Sequence, residues 1–280
     1  MSSPIQIIAS PGSTALVLDS PHSGTHYPDD FAYACDMHAL RRAEDTHVEK
    51  LYSFAPGLGC AWVEALFPRS YVDANRSELD IDQAMLAGAW PGELQAGPKT
   101  ALGKGLAWRL LDDGGPIYDR LLSVAELQAR VANCWQPYHE AVRAAIDAAH
   151  ARHGYSIHIN CHSMPAVAGA LATGFPGEVH PDFVLGNRDN TSSSPELLHF
   201  MQTHLQGLGY SVALNHPYKG VELVRRYSDP AKHRHSVQIE LNCGRYMTES
   251  TREPHAGFAD IQASLKSLVE ALLRVDPRGL

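Results

Sequence analysis

Short apolar runs alternate along the chain with longer stretches in which apolar side chains recur every three or four positions. The runs at Thr14–Asp19, Cys60–Leu66, Ser70–Val72, Ile157–His162, Phe183–Leu185, Tyr210–Leu214 and Val237–Leu241 read as buried strands. Between them the periodicity predicts helices. One holds Leu40 to Phe54 and ends at Gly57 and Gly59. A second opens on the capping box Ser123–Glu126, and Val124, Leu127, Val131, Trp135, Tyr138, Val142 and Ile146 form its apolar stripe. Pro137 should kink that helix and Gly154 end it. A third is capped by Ser194 with Pro195 in its first turn, and Gly209 stops it. Ser250 and Glu253 read as another capping box, opening a last helix that reaches about Arg274. The alternation, without a repeat at any fixed period, predicts a single α/β domain over 1–280: three αβα layers around a mixed, largely parallel central sheet. The pattern fails from Ser77 to Tyr118, where Gly and Pro recur. An irregular excursion over the active-site face, of the kind that serves as a lid, is expected there.

Composition narrows the class. A chain of 280 residues with 44% apolar and 19% charged residues can bury a large core and is not disordered. A formal net charge of −8 argues against nucleic acid or an anionic membrane as partner, while a small acidic substrate needs only a local basic pocket. The five cysteines are odd in number and lack CxxC spacing, as expected of reduced thiols in a cytoplasmic protein. The opening MSSPIQIIASPGST suggests neither a signal peptide nor a membrane span.

Two apolar runs, LVLDSPHSG (16–24) and IHINCHSMP (157–165), stop at a histidine followed by a small residue. A histidine just past the carboxyl end of a strand faces the crevice where α/β proteins bind ligands. His22 and His162 can therefore converge, and a metal ion is the simplest thing to place between them. Either imidazole alone is explained by hydrogen bonding to loop backbone; the pair, with the residues below, points to a metal. A zinc hydrolase needs three N or O ligands and one open position. His-x-x-Glu spacing would put the third ligand at position 25, but Thr25 stands there. Asp45, at the start of the Leu40–Phe54 helix region, is the chosen third ligand, with Glu44 and His47 as fallbacks; its other role would be to favour the helix dipole.

Glu240 shares a strand face with Gln238, where a buried carboxylate is costly unless paired. Beside an activated water it can act as general base and then as general acid; on an edge strand it would merely face solvent. Asn75 and Arg76 follow a strand directly. The planar fork of Arg76 suits an oxyanion or a substrate carboxylate, and a salt bridge to Asp73 or Glu78 is its alternative. Arg188, Arg225 and Arg226, with Tyr218 or Lys219, are candidates for holding substrate carboxylates. Cys161 beside His162 suggests a thiol hydrolase, but adjacent strand residues point to opposite faces.

Taken together, DSPHSG, the Asp45 helix, RSYVDANR, INCHSMP, GNRDNTS, NHPYKG and QIELN, in order from about residue 14 to 272, resemble the N-formylglutamate amidohydrolase family. The resemblance implies hydrolysis of N-formyl-L-glutamate to L-glutamate and formate by a metal-activated water, the last step of one route of histidine degradation. The family is also similar to zinc carboxypeptidases and aspartoacylases, which show His-x-x-Glu, Asn-Arg, His and a strand Glu in the order seen here as His22, Asn75-Arg76, His162 and Glu240. That likeness implies a zinc-carboxypeptidase-like fold, Zn2+ on His22 and His162, Arg76 at the scissile carbonyl and Glu240 as base. Alternative readings are a metal-dependent deacylase of another N-acyl amino acid, a carboxypeptidase-like exopeptidase, or a non-catalytic protein that kept the fold.

Overall fold

A mixed sheet organises the chain. The structure, a computed structural model, describes residues 3–12, 14–170, 172 and 174–279. Among the described residues the main sheet has seven strands: β1 (Ile5–Ile8), β2 (Leu16–Ser20), β3 (Ala61–Ala65), β4 (Ser156–Met164), β5 (Phe183–Gly186), β6 (Val212–Leu214) and β7 (Arg234–Asn242). Their order is β1-β3-β2-β4-β7-β5-β6. β2, β4 and β7 are parallel; β5 runs antiparallel to β7 and parallel to β6. The helices are α1 (Met37–Leu40), α2 (Val48–Leu51), α3 (Pro98–Ala101), α4 (Val124–Arg130), α5 (Gln136–His153), α6 (Pro195–Gly207), α7 (Glu222–Arg226) and α8 (Gly257–Leu272). The mixed, largely parallel sheet flanked by helices is the predicted fold class.

The chain forms two compact units, each assembled from separate segments: Met1–Gln6, Pro21–Glu44 and Glu64–Glu140 in one, Ile7–Ser20, Asp45–Val63 and Ala141–Leu280 in the other. In the second unit strand alternation gives the central strands two unlike faces. Leu16 and Leu18, Ile157, Ile159 and Cys161, and Val237, Ile239 and Leu241 point into one core with Leu197, Leu205, Leu265 and Leu268 of α6 and α8. Register places Asp19 opposite Asn160, and His158, Asn160 and His162 opposite Ser236, Gln238 and Glu240, so these polar residues share the other face. The first unit is centred on Phe31, which packs against Tyr27, Tyr33, Tyr71 and Tyr118. The Arg130 guanidinium is 1% exposed and stacks over Phe31, Tyr71 and Tyr118.

Several elements differ from the pattern reading. The helix predicted over Leu40–Phe54 is broken into α1, a 3-10 turn at Arg41–Ala43, and α2. Glu44 is extended and His47 is left-handed at φ 68°, so Asp45 lies in the break rather than on a helix. Long-range bonds hold that break: the Tyr27 hydroxyl and Arg41 guanidinium bind the Glu44 carboxylate, and the Tyr246 hydroxyl donates to the Thr46 carbonyl at 2.8 Å. Ser70–Val72 forms a turn, not a strand. The irregularity expected at Pro137 lies just ahead of it, as a π turn at Val131–Trp135, because a proline cannot donate to the carbonyl four residues back. The Ser250–Glu253 capping box does not form. Pro254 biases Glu253 away from helical geometry, Glu253–Pro254 pairs as a short strand with Met247–Thr248, and α8 starts at Gly257. His162 lies inside β4 rather than past its end. The Ser123–Glu126 and Ser194 caps form as predicted. Within residues 77–118, Asp80 accepts from the Gly97 amide at 2.7 Å and from the Thr100 hydroxyl.

Replacing the fully buried Leu265 by alanine should lower stability by about 2–5 kcal/mol, read as a lower urea midpoint at unchanged slope.

Candidate active site

The polar face of the sheet carries one continuous hydrogen-bonded line. The Ser236 hydroxyl and His158 Nδ1 are 2.7 Å apart, and His158 Nε2 donates to Asp19 Oδ1 at 3.0 Å. Asp19 Oδ1 also accepts from Asn160 Nδ2 at 2.8 Å. That contact orients the Asn160 amide, whose Oδ1 then accepts from His162 Nε2 at 2.7 Å. With its proton on Nε2, a neutral His162 presents a lone pair on Nδ1, yet Nδ1 lies 2.8 Å from Asp45 Oδ2. A lone pair and a carboxylate at that distance need a proton or a metal ion between them.

His22 sits two residues beyond β2 in a turn closed by Gly24, where a Cβ would collide with the Phe67 carbonyl. His22 Nε2 donates to Asp73 Oδ1 at 2.7 Å. Asp73 also accepts from Arg69 at 3.1 Å and from the Asn75 amide at 2.9 Å. Burial alone would raise the Asp73 pKa, but His22, Arg69 and Arg76 outweigh it and hold the carboxyl well below its ordinary value. The Tyr71–Arg76 segment is fastened from α4 and the helix that continues it. Arg130 donates to the Tyr71 carbonyl at 3.0 Å, His139 to Ala74 at 2.8 Å and Trp135 to Arg76 at 2.9 Å. The π turn carries Trp135, and none of these three anchors was singled out as functional from sequence.

His22, Asp45 and His162 are 1%, 4% and 3% exposed, and each offers a ligand atom within 4.8 Å of the other two. Two imidazoles and a carboxylate, with the rings' other nitrogens held by Asp73 and Asn160, suit a metal ion in type and in outer-shell support. Of the fallback ligands, Glu44 is held by Tyr27 and Arg41, and His47 lies against the Arg252 carbonyl at 2.9 Å.

Glu240 is 9% exposed, the register partner of His162 on the adjacent strand, and accepts from Gln238 at 2.8 Å. Arg76 is buried; its Nε donates to the Lys104 carbonyl at 3.3 Å and lies 4.0 Å from Asp80, and its charge also acts on Asp73. The other candidate cations have partners of their own. Arg225 and Arg226 both close on Glu222 at 2.6 Å, and Arg188 donates to the Gly220 carbonyl at 3.0 Å. Tyr218 packs edge-on against Phe175 and His180. Cys161 points to the apolar face, and burial pushes its thiol well above the ordinary range. A thiol nucleophile there would be protonated and turned away from His162.

Fold and donor set together define an α/β protein with a candidate metal centre on the polar face of its sheet. Comparison with known proteins narrows the class. A model of the N-formylglutamate amidohydrolase family matches residues 14–247. N-formylglutamate deformylase of Pseudomonas putida is 33% identical over 271 residues, covering 94% of this chain and 93% of that one. The Pseudomonas aeruginosa deformylase is 29% identical over 269 residues, covering 94% and 92%. The crystal structure of N-formylglutamate amidohydrolase from Ralstonia eutropha JMP134 superposes with a TM-score of 0.94 at 43% identity, over 99% of this chain and all of that one. The chain belongs to the N-formylglutamate amidohydrolase family.

Two outcomes are expected from these contacts. Because the folded pKa of Asp73 is depressed, its pairing stabilises the protein above the unfolded value of about 4 and is lost as pH falls through the folded value. Asp73→Asn should therefore be less stable than wild type at pH 7, and the gap in urea unfolding free energy should narrow below about pH 4. Trp135→Phe removes the donor to the Arg76 carbonyl, and should lower turnover while leaving the far-ultraviolet circular dichroism spectrum unchanged.

Proposed function

We propose that this protein hydrolyses N-formyl-L-glutamate to L-glutamate and formate, the closing step of a route of histidine degradation. The observation that carries the reading is the buried His22–Asp45–His162 set with Glu240 one strand away in register with His162. The names of the relatives supply the substrate. His22 and His162 would hold a divalent ion through Nδ1, and Asp45 through its carboxylate, with Zn2+ favoured by the mix of nitrogen and oxygen donors. Such an ion would polarise the formyl carbonyl and lower the pKa of the attacking water.

The remaining steps fall to the chain's own residues. Glu240 takes the proton from the water as it adds to the formyl carbon. Gln238, donating to Oε1, holds the carboxylate in one orientation while that proton is received. Arg76 turns its guanidinium to the developing oxyanion, a task that suits a fixed, buried cation. Asn75 beside it orients the substrate. Glu240 then delivers its proton to the departing amine, so that formate and an amino group leave in balance.

Glu240→Gln should keep metal content at the wild-type level and lower kcat for formate release by at least about two orders of magnitude. Near-normal turnover in that variant would remove Glu240 from the mechanism. Chelation should abolish formate release and added Zn2+ should restore it, whereas thiol alkylation should leave it unchanged.

A further inference from the structure

Four cations gather on the segment that follows β3: Arg69, Arg76, Lys99 and Lys104. Three of them face carboxylates. Arg69 binds Asp73 at 3.1 Å, Lys104 pairs with Asp112, and Arg76 lies 4.0 Å from Asp80. Lys104 and Arg69 also lie over the Trp108 ring, at 5.0 and 5.1 Å from its centroid, which keeps both close to Arg76. Lys99 is the one member of this cluster with no carboxylate partner among the described residues.

Its place is built rather than accidental. Asp80, the carboxylate beside Arg76, pins the turn that carries Lys99 from both sides, accepting from the Gly97 amide and the Thr100 hydroxyl. The Lys99 carbonyl in turn accepts from the Lys104 amide at 2.9 Å. The lysine is thus carried on an anchored turn next to the guanidinium assigned to the reacting carbonyl. Burial, then the charges of Arg76, Lys104 and Arg69, lower its pKa to about 8, against a weaker opposing pull from Asp112. A half-buried ammonium among three other cations is unfavourable on its own and is relieved by an anion.

We propose that Lys99 binds a carboxylate of the substrate beside Arg76. This rests on the reading of the substrate as an N-formyl dicarboxylate. It places recognition on the excursion 77–118 rather than on Arg225 and Arg226, whose guanidinium groups both bind Glu222.

The test uses full-length Lys99→Met, Lys99→Gln and Lys99→Arg. Each is checked for an unchanged thermal unfolding midpoint, and two neutral variants are made so that one misfolded protein does not decide the matter. Formate release gives KM and kcat for N-formyl-L-glutamate; calorimetry gives the affinity for glutarate, a dicarboxylate that cannot react. The neutral variants should raise KM and weaken glutarate about ten- to a hundred-fold, the size of one charge-assisted contact, with kcat within about threefold of wild type. Lys99→Arg should recover most of both. Wild-type KM and glutarate affinity in a folded neutral variant would overturn the proposal. Absence of formate release from metal-loaded wild type would instead overturn the reading of the reaction. The glutarate measurement would still decide whether Lys99 binds carboxylates.

Discussion

The amide of Asn160 has one orientation, and the chemistry of the polar sheet face follows from it. Asp19 can only accept, so Asn160 must turn its Nδ2 toward Asp19 and its oxygen toward His162. The ring proton of His162 is thereby drawn to Nε2, and the opposite nitrogen is aimed at the carboxylate of Asp45. Burying a lone pair against a carboxylate is costly unless a positive charge lies between them. A side-chain amide two residues along the strand thus leaves a place for a proton or a metal ion without touching it. The arrangement depends on register: shifting β4 by one residue would bring Cys161 and Ile159 to this face and send His162 into the apolar core.

The same economy of contacts explains how an irregular segment can be held to the tolerance a reaction needs. Residues 71–76 have no strand ladder to fix their carbonyls. Arg130, Trp135 and His139 donate to three of them instead, and the π turn lies among these donors along the helix. Trp135 and His139 stack with ring centroids 3.7 Å apart, which restricts both donors at once. A π turn is less favourable than continuous α-helix; what it gains here is three satisfied carbonyls in the loop that carries Asn75 and Arg76.

Much of this was legible in the sequence because it is local or periodic. Alternation in QIELN assigned Gln238 and Glu240 to one face, and apolar spacing with Ser123 and Ser194 as caps marked two helices. His22 and His162 were candidates from strand ends, and Asp45 from a helix start that the structure replaces with a break. The failures share a cause. The Leu40–Phe54 helix breaks because Tyr27 and Tyr246, distant in sequence, bind the Glu44 side chain and Thr46 carbonyl more favourably than helical neighbours would. Ser70–Val72 looks apolar enough for a strand, but its carbonyls answer to Trp108 and Arg130. The Ser250–Glu253 box is the exception: Pro254, adjacent in sequence, biases Glu253 away from helical geometry.

Charge shows the limit of counting most clearly. A net charge of −8 describes the whole surface and says nothing about the field at one turn. Arg225 and Arg226 form the more conspicuous basic pair in the sequence, yet Glu222, one turn away and buried, meets both. Arg69 and Arg76 flank a predicted strand, Lys99 and Lys104 lie in the irregular stretch 77–118, and only the fold gathers them. Asp73, Asp80 and Asp112 face three of these four cations. The result is a local excess of positive charge on an acidic protein, beside the guanidinium best placed to meet an oxyanion. Such an excess persists in a folded chain at a cost in stability, and a negatively charged substrate removes that cost when it binds.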